Sequence, residues 1–430
     1  MSWFRSNTLY VSASLFCLPM IAVCAVVFLP FLIFATVTLY LIAWIIYYIH
    51  ASTESEFSLP CNPNQVFKIN MILLDQFIGW IGYIPLITSY LHWRFWQVGS
   101  ERFKEIVSLD IPYHESCKLD VYHPAKKPNG QMARIIIFIY GGSWGSGSKL
   151  LYSTLANTLR ELGYVVVVPD YRKYPEVKID AIYQDIREAI KWTHQHASEI
   201  NGDPEMIFVM GHSAGAQLTA QVVLSDIIEQ VKYDESIQSK STPPRVSEKH
   251  DPAMKKLEER HMILSKERSH DFLPLVEGIL LFSGVYDIAS HLIHETSRGV
   301  EKISAMSRVM GSSQEGYIAN SPIHLIEKHA RLFADSEDLL DLWPRILLLH
   351  GQKDTTVGMD QSANMFNTLG KLFPVERRQE VDVRMRLYKR MGHAEPVIAL
   401  MSNIFSKKTE QTLLLRDIQE FIDIPQYIDE

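Results

Sequence analysis

The 430-residue chain has few cysteines and lacks several short signals that mark common protein classes. Cys17 and Cys24 lie in an apolar run, so only Cys61 and Cys117 remain outside it, which leaves no disulfide framework. Neither a Gly-x-x-x-x-Gly-Lys-Ser/Thr nor a Gly-x-Gly-x-x-Gly loop occurs, so a nucleotide-binding function is disfavoured. The net charge of −7 and the lack of a basic patch give no indication of a nucleic-acid partner.

Charged residues are absent between Arg5 and Glu54, and residues 9–49 are almost wholly apolar. A bilayer core requires about 20 apolar helical residues, and this run is about twice as long. Because Pro19 and Pro30 interrupt it, we expect a transmembrane region of two closely spaced spans, or of one span and a re-entrant segment. A cleaved signal peptide is the alternative, but its apolar region is only about 7–15 residues long.

A second apolar segment, residues 76–93, contains Pro85 and many aromatic residues. It fits a further membrane span and equally an interfacial helix, because tryptophan and tyrosine are favoured at the membrane interface.

The distribution of basic residues near these segments gives an orientation. Arg94, Arg102 and Lys104 follow the second apolar segment, whereas the predicted loop at 51–70 contains only Lys68. The positive-inside tendency therefore favours a cytosolic position for the remainder of the chain. The lack of any Asn-x-Ser/Thr glycosylation signal is consistent with this.

From about residue 107 the sequence alternates between apolar strand patterns and amphipathic helix patterns. Continuous apolar strands alternating with helices predict a mostly parallel sheet that is covered on both faces. An antiparallel hairpin is predicted to precede it. The predicted strands are 108–111, 118–122, 134–140, 164–168, 206–210, 278–282, 345–350 and 383–388, and the predicted helices are 150–162, 181–196, 214–228 and 410–421.

Residues 232–271 break this alternation because they are highly charged, contain Pro243-Pro244 and have few apolar anchors. We expect a mobile surface insertion here. A lid over the site or a contact with a partner is the alternative.

A serine between two glycines stands where one predicted strand ends and a helix begins. Residues 211–215 read Gly-His-Ser-Ala-Gly, directly after the apolar run at 206–210. Gly-x-Ser-x-Gly between a strand and a helix is typical of a nucleophile elbow, in which small neighbours accommodate a strained serine. We therefore predict that Ser213 is a nucleophile rather than an ordinary residue at a helix start.

A serine hydroxyl is a weak nucleophile, so it requires a base, and the base requires an orienting acid. In folds with this elbow the partners follow in the order Ser, Asp or Glu, His. Asp354 follows the predicted strand 345–350, and His393 follows the next strand, so both are expected at the carboxyl edge of the sheet. His294 and His324 precede Asp354 and are therefore in the wrong order.

Two glycines and a serine follow the predicted strand at 134–140. Glycine allows backbone amides to turn towards a developing negative charge. The amides of Gly142, Ser143 and Ala214 are the predicted oxyanion donors. The whole predicted oxyanion and substrate-binding set is Gly141, Gly142, Ser143, His212 and Ala214.

Several short motifs between residues 107 and 397 occur together in this chain. They are Leu119-Asp-Val-Tyr-His-Pro124, Tyr140-Gly-Gly-Ser-Trp144, Pro169-Asp-Tyr-Arg172, Gly202-Asp-Pro204, Gly211-His-Ser-Ala-Gly215, Phe282-Ser-Gly-Val-Tyr-Asp-Ile288, His350-Gly-x-x-Asp354 and Gly392-His393. In this combination the chain resembles the α/β-hydrolase carboxylesterases of the hormone-sensitive-lipase type, and most closely the isoprenylcysteine α-carbonyl methylesterases. It departs from the wider group where residues 140–143 read Tyr-Gly-Gly-Ser in place of His-Gly-Gly-Gly.

The resemblance implies an α/β-hydrolase fold with N-terminal transmembrane helices and a helical cap. Residues 1–100 would form the membrane-associated region and residues 101–430 the catalytic domain. It further implies a serine esterase that needs neither a metal nor a cofactor, and a lipidic ester substrate such as the prenylcysteine methyl esters of protein C-termini. The implied location is an endoplasmic reticulum or Golgi membrane, with the catalytic domain facing the cytosol.

Three other functions stay open on the sequence. One is a broader membrane lipase, esterase or deacetylase with the same triad. The second is an arylformamidase, although its small soluble substrate gives no reason for membrane segments. The third is an inactive scaffold that binds a partner through residues 232–271, and the complete triad argues against it.

Overall fold

The computed structural model describes residues 26, 28–49, 59–125, 132–241, 271–336, 338–378, 380–401 and 408–423. These residues fall into two compact units. The first contains the described residues up to Gly82 together with Glu295–Ser304, and the second contains Tyr83–His294 and the described residues from Ala305 onwards.

The first unit contains helix α1 (Phe28–Ile49) and the first part of helix α2 (Pro63–Leu91). The two helices share a small buried cluster in which Ala43 and Tyr47 meet Val66. Helix α1 has a mean hydropathy of 2.3 and is almost entirely exposed. Among the described residues, only this helix is long and apolar enough to cross a membrane, a criterion that a signal sequence also meets.

The structure bears on several expectations for the apolar N-terminal region. Pro30 lies in the first turn of α1 as described (Phe28–Ile49), where an amide N–H has no partner within the helix and proline is therefore tolerated. The loop predicted at 51–70 is shorter than expected, since α2 begins at Pro63. The predicted segment 76–93 is helical and continues into a π-helix at His92–Val98. Most of residues 9–27, where a second span was expected, lie outside the described residues.

The second unit is built around an eight-stranded sheet with the order β1-β2-β4-β3-β5-β6-β7-β8. Strands β1, β2 and β4 pair antiparallel, and β4, β3, β5, β6, β7 and β8 are mutually parallel, as the sequence predicts. The strands are β1 (Val107–His114), β2 (Cys117–Tyr122), β3 (Ala133–Ile139), β4 (Val165–Pro169), β5 (Gly202–His212), β6 (Gly278–Phe282), β7 (Arg345–Gly351) and β8 (Val383–Tyr388).

Helices cover both faces of the sheet, and a run of helices lies between β6 and β7 in the chain, where the cap is predicted. Five of these helices are α4 (Ser153–Glu161), α5 (Ile179–Gln195), α6 (Ala214–Ser241), α13 (Met359–Leu372) and α15 (Lys408–Asp423). The others are α3 (Ser100–Ile106), α7 (Ile288–Arg298), α8 (Met306–Val309), α9 (Gln314–Ala319), α10 (Pro322–Lys328), α11 (Ala330–Asp335), α12 (Asp338–Leu342) and α14 (Glu395–Met401), with 3₁₀ turns at Lys149–Tyr152 and Val375–Arg377.

Helix α6 is longer than the sequence analysis predicts. It was expected to end near residue 228, but it continues to Ser241 and includes the first ten residues of the predicted insertion 232–271. The extension contains no glycine or proline, and the buried side chain of Val231 still packs on the core at its start. Residues 242–270 of the predicted insertion lie outside the described residues.

The C-terminal helix α15 closes one face of the sheet through fully buried apolar side chains. Phe421 packs edge-on against Phe208 of β5, with ring centroids 6.3 Å apart. The guanidinium of Arg345 lies 4.6 Å from the centroid of the Phe421 ring, which adds a cation–π contact. These contacts make Phe421 an anchor for the last helix.

Replacing Phe421 with alanine is expected to lower the free energy of unfolding by about 3–5 kcal/mol, because a large buried ring is lost and a cavity is left. Leu413→Ala on the same helix is the matched control, since Leu413 is 38% exposed and should cost well under half as much. Chemical denaturation monitored by circular dichroism measures both. Equal losses in the two variants would contradict the anchoring role.

Candidate active site

Ser213 occupies a tight turn between strand β5 and helix α6. Its φ is +54°, a left-handed conformation that is strained for a residue with a side chain. A Cβ on Gly215 would lie 2.1 Å from the Ile139 carbonyl oxygen, and one on Gly211 would lie 2.5 Å from the Gly215 carbonyl oxygen. The two glycines are therefore required because the backbones of β3, β5 and α6 approach too closely for a side chain.

The structure brings the three predicted residues of the triad together. The Ser213 Oγ lies 2.9 Å from His393 Nε2, and His393 Nδ1 lies 2.8 Å from Asp354 Oδ2. Because an ionised carboxylate only accepts hydrogen bonds, Nδ1 of His393 carries the proton. Nε2 is then left to accept the hydroxyl proton of Ser213, which is the arrangement that a general base requires.

The side chain of Asp354 is fully buried, and its backbone lies in the turn after strand β7. Its Oδ1 accepts hydrogen bonds from the backbone N–H groups of Thr356 and Val357, at 2.9 and 2.8 Å. Burial by itself would raise the pKa of Asp354, but hydrogen bonds from His350 and His393 outweigh it and hold the pKa well below its usual range. The acid therefore stays ionised at neutral pH.

The loops that carry Asp354 and His393 are joined through their backbones. The Lys353 N–H donates to the Met391 carbonyl oxygen at 2.9 Å. A Cβ on Gly351 would lie only 2.3 Å from the same oxygen, so the close approach depends on this glycine. These contacts fix the distance between the acid and the base, although 39 positions separate them in the sequence.

The turn after strand β3 lies against the nucleophile, since a Cβ on Gly141 would be 2.8 Å from the Cβ of Ser213. Gly142, Ser143 and Trp144 all have positive φ, at 143°, 51° and 58°. Within the described chain, the amides of Gly142 and Ser143 have no hydrogen-bond acceptor. Free amides in such a turn form a concave site for negative charge, which suits the predicted oxyanion role.

The oxyanion turn is held by a buried glutamine that the sequence analysis missed. The indole N–H of Trp144 donates to Gln217 Oε1 at 2.9 Å, and Gln217 Nε2 donates to the Asn320 carbonyl oxygen at 3.0 Å. Gln217 is fully buried on α6, one turn after Ser213. A polar residue one helical turn after the predicted nucleophile is the sequence signal that could have identified it.

Aromatic residues hold the start of the same turn. The Tyr140 ring stacks on the Tyr171 ring with centroids 4.8 Å apart, and the Tyr171 hydroxyl donates to the Tyr140 carbonyl oxygen at 2.8 Å. The Tyr140 hydroxyl donates to Asp170 Oδ1. Tyrosine at position 140 therefore takes part in the hydrogen bonding that orders the turn.

His212, predicted to contribute to substrate binding, contacts the loop of the catalytic histidine. Its Nε2–H donates to the His393 carbonyl oxygen at 2.9 Å, and the two imidazole centroids are 5.0 Å apart. Burial, reinforced by the neighbouring His393, lowers the pKa of His212 to about 3. The neutral ring of His212 thus braces the His393 loop.

The other histidines considered are not members of the triad. His294 contacts the turn that carries the acid, since its Nε2 lies 3.0 Å from the Thr355 carbonyl oxygen, whereas His324 lies beside Glu327 on α10. Among the residues that the structure describes, no group of three His, Cys, Asp or Glu side chains is placed to hold a metal ion.

Comparisons with known proteins place this site in a family context. A family model described as BD-FAE matches residues 119–369, which is more than half of the chain. A probable isoprenylcysteine alpha-carbonyl methylesterase of Arabidopsis thaliana is 25% identical over 301 residues, which are 70% of this chain and 52% of that protein. A kynurenine formamidase of Danio rerio is 33% identical over 213 residues, which are 48% of this chain and 57% of that protein. The chain thus spans about half the length of the curated relatives it matches.

The fold is found in a solved structure as well. The crystal structure of esterase B from Lactobacillus rhamnosis aligns with a TM-score of 0.52 and 16% identity, over 84% of this chain and 97% of that chain. At this level of identity the likeness shows the fold alone. With the mostly parallel sheet it confirms the predicted α/β-hydrolase architecture.

Replacing Gln217 with leucine is expected to loosen the oxyanion turn, because the Trp144 indole N–H then loses its acceptor. We expect labelling by a fluorophosphonate, which reacts with activated serines, to slow by about tenfold, part of the loss seen when an oxyanion donor is removed. Gln221→Leu is the matched control, since Gln221 is also buried on α6 but bonds only to the Ala319 carbonyl oxygen. Equal labelling rates in the two variants would argue against a role for Gln217.

The lowered pKa of His212 predicts that part of the protein's stability is lost at acid pH. Below about pH 6.5 the imidazole of His212 binds a proton in the unfolded chain but stays neutral in the folded protein. The free energy of unfolding therefore falls as the pH drops from about 6.5 towards 3. At pH 5 this amounts to about 2 kcal/mol. His212→Gln, which keeps a donor, should lose that much less stability between pH 7.5 and 5 in urea unfolding. Thr193→Val, a buried substitution without a titrating group, should keep the parent's pH dependence of stability. If the stability of His212→Gln depended on pH in the same way as that of Thr193→Val, the lowered pKa of His212 would be refuted.

Proposed function

The chain belongs to the BD-FAE family, and we propose that it hydrolyses carboxylic esters through a covalent intermediate on Ser213. The observation that carries this proposal is the hydrogen-bonded series from Ser213 Oγ through His393 to Asp354, beside amides that have no acceptor among the described residues. A hydroxyl, a base with a fixed tautomer and an oxyanion site are the three requirements of acyl transfer.

In the first half of the proposed reaction, Ser213 Oγ attacks the ester carbonyl carbon while His393 Nε2 takes the hydroxyl proton. The carbonyl oxygen becomes an oxyanion that the amides of Gly142, Ser143 and Ala214 stabilise. His393 then returns the proton to the leaving alcohol, which departs as the C–O bond breaks. An acyl ester on Ser213 remains.

In the second half, a water molecule replaces the alcohol. His393 removes a proton from the water as its oxygen attacks the acyl carbon, and the second oxyanion uses the same amides. The proton returns to Ser213 Oγ as the acyl–serine bond breaks, which releases the acid. Ionised Asp354 stabilises the imidazolium of His393 in both halves.

The proposed substrate is an apolar ester that resides in a membrane, namely the methyl ester of a prenylated C-terminal cysteine. Three observations support it. The curated relatives with this named activity align over 59–70% of the chain, and helix α1 has the length and hydropathy of a membrane span. On the second unit, Leu91, Phe95 and Trp96 are exposed on the helical segment before the sheet, as expected near a lipid surface.

The proposal includes attachment to a membrane. Residues 1–100 would form the membrane-associated region, and residues 101–430 the catalytic domain. Arg94, Arg102 and Lys104 favour a cytosolic catalytic domain, and the endoplasmic reticulum or Golgi is the location that the resemblance implies.

An arylformamidase is the second candidate function. The kynurenine formamidase of Danio rerio has the higher identity, 33%, although over less of this chain. The same nucleophile, base and oxyanion site would cleave a formamide. The apolar helix α1 favours the ester reading, because a small soluble formamide requires no membrane segment.

The proposal is tested with the whole chain in detergent. A fluorophosphonate should label the parent but not Ser213→Ala, and Ser213→Ala should hydrolyse prenylcysteine methyl ester at least about a thousandfold more slowly. The same preparations are then given a short soluble butyrate ester and N-formylkynurenine.

Each outcome of these assays has a distinct meaning. Preference for prenylcysteine methyl ester supports the substrate, and preference for the butyrate ester reduces the assignment to a general esterase. Preference for N-formylkynurenine favours the formamidase. A folded parent that is not labelled would overturn the nucleophilic role of Ser213.

A further inference from the structure

A second histidine lies on the far side of the acid from His393. His350 is fully buried at the end of strand β7. Its Nε2 lies 3.1 Å from the Val357 carbonyl oxygen and 3.4 Å from Asp354 Oδ2. Both neighbours only accept hydrogen bonds, so Nε2 of His350 carries a proton and directs it towards the acid turn.

The other ring nitrogen of His350 is also occupied. Its Nδ1 lies 2.8 Å from the hydroxyl oxygen of Ser362, in the first turn of helix α13. In a neutral imidazole with the proton on Nε2, Nδ1 is an acceptor, so the Ser362 hydroxyl donates to it. Ser362 therefore selects the tautomer in which His350 presents its N–H to the acid turn.

Together these contacts enclose Asp354. Its Oδ1 is held by two backbone N–H groups, of which one belongs to Val357, and the carbonyl of Val357 is held in turn by His350. Its Oδ2 faces His393 Nδ1 on one side and His350 Nε2 on the other. A carboxylate restrained at both oxygens cannot rotate away from the base.

We propose that His350 and Ser362 are positioning residues that fix the orientation of Asp354 and share its negative charge. The sequence Ser362, His350, Asp354, His393, Ser213 then forms one continuous polar chain from helix α13 to the nucleophile. The kinetic tests of this proposal rest on the proposed esterase function, whereas the contacts of His350 and Ser362 do not depend on it.

The charged and titratable groups facing His350 are few. Asp354 lies on the same loop, and His212 on the elbow and His393 on the neighbouring loop are the other imidazoles nearby. The Tyr286 hydroxyl is the further polar group beside Ser362. Among the described residues, Asp354 is thus the one anion against which the His350 N–H acts.

The first test compares His350→Phe, which removes the donor, with His350→Gln, whose amide N–H can still reach the acid turn. His350→Phe is expected to lower kcat for ester hydrolysis by about ten- to a hundredfold with little change in KM, because a donor to a charged group is lost. His350→Gln should recover most of the loss, and Ser362→Ala should fall between them. Thr193→Val, which removes a buried hydrogen bond far from the acid turn, is the matched control for folding.

The pH profile gives a readout that a purely structural role would not move. Without the His350 N–H, the whole charge of Asp354 acts on His393 and favours its protonated form. The acid limb of kcat/KM should therefore move to higher pH by about half a unit in His350→Phe, and not in Thr193→Val. A folded His350→Phe protein with the parent's kcat and acid limb would overturn the proposal, as would a His350→Gln protein as impaired as His350→Phe.

A third measurement separates this inference from the proposed function. The proton between His393 and Asp354 gives a low-field resonance in proton NMR that requires no turnover. If the parent hydrolyses no ester, the proposed function fails, yet the resonance should still shift in His350→Phe and in Ser362→Ala. An unchanged resonance in both variants overturns the positioning role whatever the activity.

Discussion

The left-handed backbone of Ser213 is the constraint on which the rest of the site depends. That conformation is kept because three strands converge on the turn: the Ser213 N–H donates to the Phe282 carbonyl oxygen of β6, and Gly215 passes under the carbonyl of Ile139 in β3. The strain is offset by the packing of the buried central strands, which cannot move to relax it. The hydroxyl is thereby presented at the carboxyl edge, where the loops that carry Asp354 and His393 meet.

Few of the described side chains around this turn carry a charge. Asp354 is the buried anion of the triad, and hydrogen-bond donors on several sides, together with the charge interaction with His393, hold its pKa low. The neighbouring imidazole of His212 is kept neutral by burial and serves as a hydrogen-bond donor to the His393 loop. Because His212 is neutral, the negative charge of Asp354 remains available to stabilise the imidazolium that forms on His393 during proton transfer.

The membrane-related part of the chain and the hydrolase part rest on different kinds of observation. For the sheet, strand order and the family model agree on an α/β-hydrolase. For the N-terminal unit, the observations are the length and hydropathy of helix α1 and the packing of α1 against α2 in the cluster around Ala43 and Val66. The proposed lipidic substrate connects the two parts chemically, since an ester with a prenyl chain partitions into the bilayer to which α1 would attach the enzyme.

The sequence by itself determined the features that local sterics and periodicity control. These are the strands, the glycine spacing around Ser213, and the order in which Asp354 and His393 follow it. It misplaced the end of helix α6, because the charges after Ile228 look like a loop while Val231 still packs on the core. Only the tertiary structure decided the contacts of His212 and Gln217. Their partners include Trp144 and the His393 loop, which lie 73 and 181 positions away along the chain, and pairing at such separations depends on how the loops of a folded sheet meet rather than on any local pattern.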